Sequence, residues 1–101
     1  MTRSEYEQYV TGQCKEYVNE PYLVIAINEE AGEIAGWYKK AVLRGNPTGK
    51  YTPDDLKGEI GDVLFYLTRL AQLHGWSLDD VMEFNKAKLD NRTQKKMRMV
   101  V

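Results

Sequence analysis

Apolar residues recur at helical spacing along most of this chain, and no run alternates in the manner of a strand. Ser4 followed by Glu7 forms a capping-box pattern, and Tyr6, Tyr9 or Val10, Gln13 and Tyr17 continue it to about Asn19. That stripe is weak and rich in tyrosine, which suits an edge or an interface. Asn19-Glu20-Pro21 resets the chain, and a second helix is predicted from Pro21 to about Arg44, roughly 36 Å if unbroken. Leu23, Ala26, Ile27, Ile34, Trp37 and Ala41 form its apolar stripe. Thr52 caps a third helix with Pro53 at its first position and Asp55 at its third. Its wide apolar face is Leu56, Ile60, Val63, Leu64, Leu67, Leu70 and Ala71, and it ends at Gly75 after His74. Ser77 with Asp80 opens a fourth helix bearing Leu78, Val81, Met82 or Phe84, and Leu89. Beyond Leu89 the pattern dissolves into the basic run from Arg92 to Arg98, which is expected to fray. The fold class implied is all-α, a compact bundle of about four helices.

Two interruptions of these stripes carry the chemistry. Glu30 falls inside the apolar stripe of the second helix and Glu33 lies on its edge. An ionised carboxylate among core side chains costs several kcal/mol unless something positive pairs with it, on the order of one residue's whole packing contribution. The third helix repeats the pattern with Glu59 flanking its apolar face and Asp62 about 60° further round, beside Tyr66. Four acids in two i, i+3 pairs predict a metal site between helices. Oxygen donors alone select Mg²⁺ or Mn²⁺ over zinc, and the single histidine, His74, reads as a helix-end cap. Gly32 and Gly36 leave room for a close neighbouring helix or for a ligand. The basic cluster Lys39, Lys40 and Arg44 suits the helix dipole. Gly45-Asn46-Pro47-Thr48-Gly49-Lys50-Tyr51-Thr52 is the one clear loop. It is not a P-loop, because its spacing is one short and Tyr51 stands where serine or threonine is needed.

Composition narrows the class without redirecting it. With 101 residues, 43% apolar and 29% charged, the chain reads as a single domain, 1–101. A net charge of −1 gives no reason to expect a nucleic-acid or membrane partner. The N-terminal residues lack the pattern of a secretory signal, and one cysteine, Cys14, fits a reducing cytoplasm. So small a domain is marginal alone, which favours self-association.

Three segments then resemble the MazG-like all-α nucleoside triphosphate pyrophosphohydrolases over residues 21–92. They are Glu29-Glu30-Ala31-Gly32-Glu33-Ile34, then Gly58-Glu59-Ile60-Gly61-Asp62-Val63-Leu64-Phe65-Tyr66-Leu67, then Ser77 to Val81 with Asn85 to Arg92. The resemblance implies that Glu30, Glu33, Glu59 and Asp62 bind Mg²⁺, with Mn²⁺ able to substitute. It also implies that Asn85, Lys88 and Arg92 meet the triphosphate, and that dimerisation, often doubled to a tetramer, completes the bundle. Asn85, Lys88 and Arg92 share one helix face at i, i+3, i+7, in keeping with that role. Trp37 and Tyr66 are candidates to stack a base, although aromatics at helical spacing also serve a core. The expected reaction is hydrolysis of a nucleoside triphosphate, a deoxynucleoside foremost, to monophosphate and pyrophosphate. Glu29 or Glu30 would orient or deprotonate the water, a choice the spacing leaves open. The competing expectations are action on phosphoribosyl-ATP, or a non-catalytic helical dimer that binds nucleotides or protein.

Overall fold

The computed structural model describes residues 1–100, and the side chains of residues 1–96. The described chain is helical, with no strand among the described residues: α1 Arg3–Gln13, α2 Glu20–Tyr38, α3 Pro53–Leu73 and α4 Leu78–Val100. A π-helical turn, Lys39–Leu43, continues α2.

Three of the four predicted starts hold. Asn19 accepts from the Tyr22 amide at the head of α2. Thr52 and Asp55 cap α3 reciprocally, and Ser77 and Asp80 exchange the same pair of bonds before α4. The first helix differs. Its cap is Thr2 with Glu5, not Ser4 with Glu7, and it stops at Gln13, where Cys14 turns extended, well short of Asn19. Two overlapping capping boxes compete here, and the earlier one frees Glu7 for a tertiary role. Its Oε2 accepts from the amide of Leu78, so one acid of α1 helps satisfy the exposed N–H groups that open α4. The basic end of α4 differs as well: the helix continues to Val100 where fraying was expected.

α2 and α3 form an antiparallel hairpin, and α1 packs against α3. Its cross-links run in order from the open end to the loop: His74 pairs with Glu20, and the Trp37 indole donates to the Thr52 carbonyl at 2.9 Å. Gln72 Nε2 donates to the Glu7 carbonyl at 2.9 Å and ties α3 to α1. The core within this chain is thin. Val10, Leu23 and Thr68 are fully buried, with Val18 and Ala71 close behind. Much of the wide face of α3 stays open, with Ile60, Leu64 and Leu67 all exposed. α4 is fastened at its start, where Arg3 pairs with Asp79 at 2.6 Å, and among the described residues it packs on α1 and α3 but not on α2. From Asp79 through Lys96 every α4 residue is exposed.

The connection between α2 and α3 is built rather than slack. Gly45 (φ 76°), Asn46 (φ 50°) and Gly49 (φ 66°) are left-handed, a region asparagine tolerates better than most residues. The Asn46 side chain then clasps Tyr51, donating to its carbonyl at 2.9 Å and accepting from its amide at 3.2 Å.

Candidate functional site

The four predicted acids lie where α2 faces α3. Glu30, Glu59 and Asp62 each aim one carboxylate oxygen so that the three lie within 4.8 Å of one another. Glu33 stands one turn on, lining with Glu59 a cavity of about 330 Å³. On the other flank Glu30 and Asp62 share a cavity of about 300 Å³ with Phe65 and Tyr66. Glu29 is exposed and outside the three-oxygen cluster.

These acids repel one another. Partial burial raises the pKa of Glu30 above the usual carboxylate value, and Asp62, Glu59, Glu29 and Glu33 raise it further. Glu59 is raised by burial and then by Asp62, Glu33 and Asp55. The ion pairs formed among the described residues, Arg3–Asp79, Lys57–Asp54, His74–Glu20 and Lys86–Asp90, leave all four site acids without a cationic partner. Converging carboxylate oxygens with uncompensated charge fit a hard divalent cation. Tyr66, edge-on to Phe65 and Tyr22, has its hydroxyl pKa raised by burial first, then by Tyr22 and the acids.

Residues 19–97 match the family described as the MazG nucleotide pyrophosphohydrolase domain, a span that takes in α2, α3 and most of α4. The chain belongs to the MazG family. A curated relative, the Gene 37 protein of Mycobacterium phage L5, is 40% identical over 85 residues, covering 80% of this chain and 72% of that protein. No solved structure matches the chain with statistical significance.

Against the MazG pattern, the structure gathers the acids and leaves the basic residues elsewhere. Asn85 and Lys88 line an apolar cavity on α4 with Trp76, Val81 and Phe84, and α4 makes no contact with α2 among the described residues. Arg92 lies further along the same exposed helix. Trp37 is half-buried, with its N–H committed to Thr52, beside the larger of the two cavities that flank the acids. His74 is the α3 cap, as expected. A side chain added at Gly32 or Gly36 would meet nothing within 4 Å, so neither marks a close helix contact within the chain. Gly36 instead floors the cavity beside Glu33.

Sequence reasoning passed over Lys40, Lys50 and Tyr51, which line that same cavity. A signal was present. Glu30, Glu33, Trp37 and Lys40 are spaced so as to share one face of the predicted second helix, Pro21 to Arg44, and that face was followed only for its acids and its tryptophan.

Proposed function

We propose that this protein is a Mg²⁺-dependent pyrophosphohydrolase of nucleoside triphosphates, deoxynucleoside forms foremost, releasing monophosphate and pyrophosphate. The observation that carries the reading is the convergence of Glu30, Glu59 and Asp62 at the α2–α3 face of a MazG domain. Glu33 completes the donor set from the next turn. Bound there, Mg²⁺, or Mn²⁺ in its place, supplies charge neutralisation of phosphate oxygens and acidifies water. Water adds to the α-phosphorus, the bond to the α–β bridging oxygen breaks, and pyrophosphate leaves with that oxygen. Glu30 orients the water and accepts its proton, while exposed Glu29 keeps the local field negative.

Asn85, Lys88 and Arg92 reach the acids of a second copy in this reading, because α4 stands clear of its own α2. The exposed apolar residues of α3 and α4 are what such a copy would cover. The test is a panel of nucleoside triphosphates with Mg²⁺, scored for pyrophosphate against orthophosphate. Pyrophosphate release that depends on Mg²⁺ is the expected result. Orthophosphate release, or turnover unaffected by chelator, would falsify the assignment.

A further inference from the structure

We propose that the cavity beside Glu33 and Glu59 seats the terminal phosphates of the substrate, held from within the same chain by Lys40 and Lys50. The substrate then lies across the carboxylates with its nucleoside toward Phe65 and Tyr66. The inference rests on the pyrophosphohydrolase reading and adds to it a direction and two residues.

The two flanks of the acid cluster differ in charge. The Glu33–Glu59 side carries Lys40 and Lys50, whereas on the Glu30–Asp62 side the other lining residues are Phe65 and Tyr66, with no cation among the described residues. An extended molecule with one polyanionic end and one aromatic end has a single favourable orientation on such a surface. Cations on the phosphate side are needed, because acids and phosphates together bring more negative charge than the metal site alone offsets.

The aromatics of the phosphate side are already engaged. The indole N–H of Trp37 donates to the Thr52 carbonyl, so it fastens the loop and is not available to read a base edge. The Lys40 ammonium lies 5.5 Å from the centre of the Tyr51 ring and occupies one of its faces. Tyr51 is in turn clasped by Asn46, whose amide donates to the Lys40 carbonyl at 3.2 Å. The π-helical turn that contains Lys40 and the left-handed Gly45 and Asn46 thus form one closed unit that presents both lysines to the cavity. Asp55, the acid of this cavity outside the metal set, is occupied at Oδ2 by the Thr52 amide and hydroxyl.

The test is calorimetric titration of the full chain, in Mg²⁺ buffer, with inorganic pyrophosphate and with each deoxynucleoside monophosphate. Lys40→Ala and Lys50→Ala should each weaken pyrophosphate by about tenfold, the lower end for a charge-assisted hydrogen bond at an open site. Monophosphate binding should hold, and Lys50→Arg should restore most of the loss. Lys40→Met, which keeps the stem over Tyr51, replaces Lys40→Ala if circular dichroism shows the alanine variant disordered. Glu59→Gln serves as the control for the metal site and should weaken every Mg²⁺-dependent ligand. Unchanged pyrophosphate binding in the lysine variants, beside a loss in Glu59→Gln, overturns this inference alone. So does an equal loss for monophosphate, which would put the nucleoside in this cavity. Pyrophosphate binding that neither Mg²⁺ nor Glu59→Gln affects overturns the pyrophosphohydrolase reading together with it.

Discussion

Glu30 was legible because a carboxylate inside an apolar stripe demands a partner, and the structure supplies two more carboxylates in place of a cation. The expected consequence is a separation of stability from activity. Glu30→Gln should lower turnover with Mg²⁺ by about a hundredfold or more while the helical spectrum persists. In chelator, Glu59→Gln should melt above the wild type, because one of several repelling charges is gone. The pH dependence of that difference follows from the raised pKa of Glu59. Folded Glu59 holds its proton more tightly than unfolded Glu59, so its ionisation disfavours the fold as pH rises from the unfolded toward the folded pKa. The advantage of Glu59→Gln should therefore be full at neutral pH and disappear below the ordinary carboxylate range, read as paired melting curves at each pH. Lys50 was not legible in this way, since a lysine in a glycine-bearing loop has no periodicity to break.

At the level of elements, caps were read well where a single hydroxyl and acid stood before an apolar run, as at Thr52 and Ser77. The start of α1 was misplaced because Thr2–Glu5 and Ser4–Glu7 satisfy the same local rule, and in the structure Glu7 accepts instead from the Leu78 amide, far along the chain. The π-helical turn left no trace in composition, and Lys39, Lys40 and Arg44 read only as dipole-complementing charge. The loop it feeds depends on Asn46, which supplies both a left-handed residue and two side-chain hydrogen bonds. Asn46→Ala should destabilise the chain by roughly 1–3 kcal/mol in urea unfolding, combining lost hydrogen bonds with an unfavourable backbone. Asn46→Gly keeps the backbone freedom and should recover part of that loss.

For the molecule as a whole, periodicity identified four helices and their apolar faces but not which faces meet, since contact between distant segments leaves no mark on spacing. The exposure of Ile60, Leu64 and Leu67 on α3 and of Phe84 (75%) on α4 favours a second copy as their cover. Sedimentation should show at least a dimer at micromolar concentration, and Phe84→Glu should shift it toward monomer; a wild-type chain that stays monomeric would remove this cover. If α4 serves a neighbour's acids, mixing inactive Glu30→Gln with inactive Lys88→Ala should restore activity. Random pairing yields about a quarter of the sites intact. α4 packs on α1 and α3 and is fastened to α1 by Arg3–Asp79 and Glu7–Leu78, while from Asp79 to Lys96 it is exposed. Most of a helix's stability in a protein comes from tertiary packing of its apolar face, which α4 lacks within the described residues along this exposed stretch. Its amides should therefore exchange with deuterium quickly in dilute solution and slowly when concentrated, so that dilution unravels α4 before it touches the acid cluster between α2 and α3.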